Sequence, residues 1–398
     1  MAPNIVTSTD TDGKIIYKKP AQHSNIKEHN LEDVANHNID NKSAPKDYSK
    51  MLPAEIGTDW SFKREIVWFN AIGFLILHLA AIYGFYLGFT SAHILTSLWS
   101  LAISFASGEG VTIGAHRMYS HKAFRGHFLT RLALVILHTI AGQNCMYIWV
   151  RDHRQHHKYS DTDADPHNAT RGFFFSHIGW LMSRKHPAVI AKGKSIDMSD
   201  LEADPIIMIQ KIFYKPLYLV FAVALPVAIP VYFWGENYWN SFFVAYMARY
   251  ILELNITWLV NSGAHAWGNK PYDKDMLPGE SKIVGYLAFG EGWHNYHHAF
   301  PWDYRAAELG IRYSPTTMII DILAFLGLAT DLKTTSDSLI KKRSLRTGDG
   351  THPLYSKGVL KEMDVADEGD IDLKGRVTNY DSNDNLDTEE VKLVERGY

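Results

Sequence analysis

The chain has a single cysteine, Cys145, in 398 residues. That excludes an internal disulfide framework and any thiolate metal cage, so redox chemistry would fall to a metal held by other ligands. It also lacks a charge surplus, with 40 Lys and Arg against 43 Asp and Glu for a formal net charge of -3. Without a concentrated basic face, a nucleic-acid partner is excluded. Residues 66 to 108 contain no Asp, Glu, Lys or Arg at all. A mean hydropathy of -0.16 therefore averages a membrane core with polar tails. The polar, charged first 59 residues carry no cleavable signal peptide, so the first apolar segment is expected to be its own anchor.

The pattern predicts an all-α integral membrane protein with four transmembrane helices and a cytosolic helical cap. Residues 1–59 read as a disordered cytosolic tail, 60–346 as the membrane domain and 347–398 as an acidic disordered cytosolic tail. About 20 apolar residues span a bilayer, which places spans at about 66–89, 94–114, 216–234 and 238–260. Lys63 and Arg64 before the first span predict a cytosolic N-terminus. Residues 132–150 are also free of charge, but a crossing there would put the first two histidine clusters on opposite sides of the membrane. The segment is expected to be buried or interfacial instead. Arg249 and Glu253, at i and i+4 inside the fourth span, are expected to form an ion pair or to serve substrate access.

The histidines carry the chemistry. His153, His156 and His157 repeat the spacing i, i+3, i+4, as do His294, His297 and His298, so each trio lies on one helical face and can converge on a point. His116 and His121 are five apart, which on a helix points them in different directions, and the pair is expected to bracket a helix end. With the lone His265 there are nine candidate ligands. His78, His93 and His138 read as satisfied core residues. A structural zinc takes four ligands and a catalytic one commonly three, so nine suggests two metals; imidazole alone suits iron, zinc or copper. Asp152, Asp161, Asp165, Glu109 and Glu291 are candidates to fix imidazole tautomers, and Asn261 to contribute through a water.

The boxes HRMYSH, HRQHH and HNYHH, with NSGAH, DTDADPHN, RGFFFSHIGW, RKHPAV and RTGDG, resemble the membrane acyl-CoA desaturases from about Trp60 to Gly350. Pro301 to Glu308 is similar to the insect and moth members that make pheromone precursors. The resemblance implies an endoplasmic reticulum enzyme holding two Fe2+ ions through His116, His121, His153, His156, His157, His265, His294, His297 and His298, with Asn261 acting through water. It implies acyl-CoA contacts at Asn70, Asn144, Arg151, Asp152, Arg184, Lys185 and Trp258, whose basic members suit a polyphosphate head. It further implies O2 as co-substrate, cytochrome b5 and its NADH-dependent reductase as electron source, and a cis double bond as product. Ser104 and Gly108 match the turn where related enzymes close the tunnel floor. Leu277-Pro278-Gly279-Glu280 resembles a Δ11 signature, which favours Δ11 over the Δ9 alternative. Gly263, Trp293 and Cys145 depart from the usual pattern without removing a ligand. A histidine-box hydroxylase and a non-enzymatic membrane metal carrier are the other readings; product mass separates the first, and the one-sided clustering of ligands argues against the second.

Overall fold

The computed structural model describes residues 7–9, 15–17, 47–310 and 314–356. In the unit 1–46, Thr7–Thr9 pairs antiparallel with Ile15–Tyr17. The rest of the two expected tails, through residue 46 and from 357, lies outside the described residues. All that follows concerns 47–356.

The described structure extends into both expected tails, through residues 47–59 and 347–356. Ile56 is buried against Tyr159, Ala164 and Ala188, with Tyr48 and Met51 packed beside it. Lys192 Nζ donates to the carbonyls of Ser49 and Met51. Three apolar side chains spaced along a polar stretch suffice to fix residues 47–59. At the other end, Asp349 accepts from the Lys270 N–H and donates its own N–H to the Lys270 carbonyl.

Helix α1, Trp68–Thr90, and α2, Ile94–Ser120, form a hairpin. Helix α3 is Phe128–Ala141 and α4 is Met146–Lys158. A second hairpin follows, of α5 (Tyr214–Trp234) and α6 (residues 238–266). Three short helices complete the elements used below: α7, His294–Ala299; α8, Pro315–Phe325; and α9, Asp337–Thr347. Among the described residues, α1, α2 and α5 are long and apolar enough to cross a membrane. The fold is all-α and integral to the membrane. The α6 segment, expected as the fourth span, falls short of that hydropathy because Arg249, Glu253 and Asn255 lie within it, although it is 29 residues long and packs beside α1 and α2. Its closeness to α1 depends on Gly84, where a Cβ would stand 2.1 Å from the Phe243 carbonyl oxygen. Small residues that let backbones approach are the usual means of helix association in lipid.

The charge-free 132–150 stretch is not one helix. It breaks at residues 142–145, and α3 and α4 meet at 86°. Gly142 (φ +72°) and Asn144 (φ +79°) take left-handed backbone there, and Asn144 Oδ1 accepts from the Cys145 N–H. The bend turns α4 back so that it carries His153, His156 and His157 to the end of the molecule where α2 delivers His116 and His121.

At the opposite end Glu236 ties the two hairpin turns together. Its Oε2 accepts from the His93 N–H (2.7 Å) and the Thr96 hydroxyl (2.6 Å), and its Oε1 from the Asn237 N–H (2.8 Å) and Asn240 Nδ2 (3.2 Å). His93, expected in the core, is instead exposed at this turn. Arg249 and Glu253 do form the ion pair, at 3.0 Å and buried, with Ser107 Oγ donating to the same carboxylate oxygen at 2.8 Å.

Candidate metal centre

The last stretch of α2, Gly110–Ser120, is π-helical. In that winding the repeat is i to i+5, and the His121 N–H donates to the His116 carbonyl at 3.2 Å. His116 lies within this helix and His121 caps its end, so the pair brackets a helix end as expected, and the wide winding still brings both side chains to one focus. A correction concerns the i, i+3, i+4 trios. Steps of three and four lean to opposite sides of a 3.6-residue turn, so positions i+3 and i+4 diverge by about 100°. Each trio therefore splits between two foci instead of meeting at one.

The first focus gathers His116 and His121 from the end of α2, His153 and His157 from α4, and His297 from α7. The second gathers His156 from α4, His265 from α6, and His294 and His298 from α7. Within each set the facing nitrogens lie within 4.8 Å of one another. At the first focus the Nε2 pairs His116–His297, His121–His153 and His297–His157 stand 2.9, 2.8 and 3.0 Å apart. At the second, His156–His298, His294–His265 and His298–His294 stand 3.3, 3.1 and 3.2 Å apart.

These cannot all be hydrogen bonds. A neutral imidazole has one N–H. Three of the nine turn Nδ1 to a carboxylate: His116 to Glu291 (2.9 Å), His156 to Asp165 (2.8 Å) and His265 to Asp161 (3.2 Å). With the proton there, Nε2 carries only a lone pair toward the focus. Burial, then the neighbouring imidazoles, hold His153, His157, His294, His297 and His298 well below the usual imidazole range, and burial does the same for His121. Burial opposes charge on His156 too, but Asp165 overrides it and raises that group. The carboxylate of Glu291 is disfavoured by burial yet held below its usual range by Arg117, whose NH2 lies at 2.9 Å, and by His116. Converging lone pairs on buried, neutral imidazoles, braced from behind by carboxylates, fit two transition-metal ions.

Two of the candidate bracing acids stand elsewhere. Glu109 accepts from the Thr112 hydroxyl at 3.0 Å, and Asp152 pairs with Arg151 (2.6 Å) and Lys185 (3.1 Å). Sequence reasoning missed His167, which forms a buried group with Asp165 and His156. Burial pushes it down to about 3. The signal was its place two residues after Asp165 in the DTDADPHN segment.

Three cavities adjoin the imidazoles. One of about 470 Å³ is lined by Asn144, Asp152, His153, Lys185, Trp258 and Asn261. Among the other expected substrate residues, Arg151 reaches it through Asp152, Asn70 Nδ2 donates to the carbonyl of its lining residue Leu181 (2.9 Å), and Arg184 pairs with Glu65 at 2.6 Å on the surface. A deeper, narrow cavity of about 70 Å³ runs from His116, His156 and His294 down to Ser104, Gly108 and Glu253. The third, about 510 Å³, opens onto His157 and His298, one from each focus, between Lys342, Arg343 and Arg346 of α9 and the acids Asp161 and Asp275.

The family model for fatty acid desaturase matches residues 95–313. An acyl-CoA Delta-9 desaturase of Acheta domesticus is 53% identical over 312 residues, covering 78% of this chain and 86% of its own length. An acyl-CoA Delta12-desaturase of the same species is 53% identical over 299 residues, 75% and 84% of the two chains. An acyl-CoA Delta(11) desaturase of Trichoplusia ni is 50% identical over 319 residues, 80% and 89%. With nine imidazoles gathered at two foci beside a narrow apolar cavity, and this likeness running through all the histidine boxes, the chain belongs to the fatty acid desaturase family, among its acyl-CoA desaturases.

Proposed function

We propose that this acyl-CoA desaturase holds two iron ions, the first by His116, His121, His153, His157 and His297 and the second by His156, His265, His294, His298 and a water on Asn261. The observation that carries this is the sorting of nine Nε2 atoms into sets of five and four. Asn261 stands one helical turn before His265 and lines the cavity touching His156 and His294. Bound iron would supply the O2-dependent oxidising power that an unactivated C–H bond requires, since acid-base groups cannot remove such a hydrogen.

The protein's own part is placement. Lys185 and Arg151, steadied by Asp152, offer cations to the coenzyme A phosphates at the larger cavity, with Asn144 and Trp258 in its wall, Asn70 bonded to its lining residue Leu181 and Arg184 next in sequence to Lys185. The acyl chain then enters the narrow cavity, passes Trp149, His153 and Asn261, which line both spaces, and continues toward Ser104 and Gly108. Walls of packed side chains exclude water and fix which carbon pair faces the imidazoles. We assign α6 as the fourth span and α3 and α4 as packed against the cytosolic face, with both termini in the cytosol and the enzyme in the endoplasmic reticulum. This arrangement brings all nine histidines to one side. Making the double bond while reducing O2 to water consumes two electrons from outside. Cytochrome b5 is the proposed donor, and the cavity between α9 and the edges of His157 and His298 offers it a partly basic approach that touches one histidine of each focus.

The relatives divide among Delta-9, Delta12 and Delta(11) at nearly equal identity, so the Δ11 expectation and the Δ9 alternative stand level. Expression in a desaturase-deficient yeast, with the double bonds located by mass spectrometry, tests the function and chooses between positions. Absence of any new unsaturated acid from well-expressed protein overturns the proposal, and an oxygenated product replaces it with a hydroxylase.

A further inference from the structure

The narrow cavity has two walls in register. On α2 it is lined by Ser104, Gly108, Thr112 and His116, and on α6 by Glu253, Thr257 and Asn261, with His265 the next step of that stripe. The α6 stripe advances four residues per turn, and the α2 stripe does so as far as Gly108, before the π-helical stretch begins. Both helices run toward the imidazole end, and Ser104 and Glu253 each stand twelve residues before a histidine of a focus. On the α-helical part of α6 those twelve residues advance roughly 18 Å, and the 2.8 Å contact of Ser107 Oγ with the Glu253 carboxylate sets the Ser104–Gly108 turn of α2 at the same depth.

The floor they form is half polar. Gly108 contributes no side chain, and the Phe289 ring leans over it, so that a Cβ there would stand 2.8 Å from Phe289 Cε2. Glu253 is 4% exposed. Its Oε2 is taken by Arg249 and Ser107, while its Oε1 is buried and has no hydrogen-bond partner among the described residues. A hydrocarbon terminus pressed against that oxygen would leave it unpartnered and dry, which costs free energy. The same oxygen would accept a hydrogen bond from a hydroxyl.

We infer that Glu253 sets the length limit of the acyl chain beyond the reacting carbons and selects by the chemistry of the chain's far end, admitting a terminal hydroxyl where it refuses a methyl. This rests on the desaturase reading and adds a specificity residue to it. From Asn261 to Glu253 is eight residues, roughly 12 Å along the helix. An extended chain with bonds near 1.5 Å advances roughly 1.3 Å per carbon, so about nine carbons fit between the level of Asn261 and Glu253. The Arg249 contacts to the Ala245 and Ala222 carbonyls hold the pair in place, so the carboxylate cannot swing aside to admit a longer chain.

The test uses full-length protein in yeast microsomes and a series of saturated acyl-CoAs rising by two carbons, each with a methyl and a terminal-hydroxyl form. In the wild type, turnover is expected to fall about tenfold at the first methyl chain that reaches Glu253, and the hydroxyl form of that length to be favoured about tenfold. Competition against a tightly bound acyl-CoA, read without turnover, is expected to follow the same order. Glu253→Leu alone would strand Arg249, so the working variant is Arg249→Met with Glu253→Leu, which replaces a buried pair by apolar side chains of similar volume. It is expected to accept chains at least two carbons longer and to lose the hydroxyl preference. A wild type blind to the terminal group, or a folded double variant with an unchanged cut-off, overturns the inference even though the enzyme desaturates. A wild type that forms no double bond at all overturns the proposed function instead.

Discussion

Glu291 shows how one side chain can serve several neighbours. Its two oxygens face His116 and Arg117, both buried, at 2.9 Å each. Removing the charge frees the His116 proton to settle on Nε2, where a metal needs the lone pair. Glu291→Gln is therefore expected to weaken iron retention about 10–100-fold, the usual effect of losing such a partner, read as iron remaining after a graded chelator challenge. Retention equal to wild type would contradict the tautomer argument. His138 behaves oppositely. Fully buried beside Trp149, it has no partner for either ring nitrogen among the described residues, and burial pushes it down to about 3. In the unfolded chain a histidine takes up its proton near pH 6.5. The folded state binds fewer protons between those values, so this residue withdraws stability as pH falls from about 6.5 toward 3, by up to about 1.4 kcal/mol per unit, and costs nothing above that window. His138→Leu should flatten the acid limb of the thermal-unfolding profile and leave Tm at pH 7 unchanged or raised; a lower Tm at pH 7 would mean that the ring has a polar role. Sequence could identify all nine clustered histidines, since spacing and clustering are local. It could not show that His138 is unsatisfied, because that depends on what α2 and α4 bring around it.

At the level of elements, helical periodicity was readable and its exceptions were not. The π-helical end of α2 brings His116 and His121 to one focus, and no residue in Gly110–Ser120 announces that winding. The first pair brackets a helix end as expected yet still converges, while the trios, expected to meet at one point, divide between two foci. The non-spanning character of residues 132–150 followed instead from the need for the clusters to meet. The bend that satisfies it depends on Gly142, where φ is +72° and a Cβ would stand 2.8 and 2.9 Å from the Tyr218 and Tyr250 rings. Gly142→Ala is expected to destabilise the detergent-solubilised protein by about 1–2 kcal/mol from the left-handed backbone alone, with the ring contacts adding to it. A Tm within a degree of wild type would show that the bend is set elsewhere.

For the molecule as a whole, hydropathy gave α1, α2 and α5 directly but undervalues α6, whose polar residues face its neighbours and not lipid. Arg249 and Glu253 are buried, whereas Phe69 and Phe89 of α1 are 88% and 90% exposed. The proposed topology places Lys122 and Lys158, both exposed, on the side opposite Ser91. In sealed microsomes a membrane-impermeant thiol reagent should modify Lys122→Cys and Lys158→Cys and spare Ser91→Cys, with buried Cys145 silent. Reaction of all three, or of one lysine position only, would reject the four-span arrangement.

The Glu236 clasp bears on how a catalytic cycle ends. Four hydrogen bonds accepted by one carboxylate hold the two turns together at the end away from the imidazoles, so the α1–α2 and α5–α6 hairpins are fastened there and cannot part to release a chain downward. Whatever slides in straight must be drawn out by the same throat after it has acquired a rigid elbow. Under the proposed binding mode, withdrawal of the bent product is expected to be slower than the chemical step and to slow further with every carbon lying below the bend.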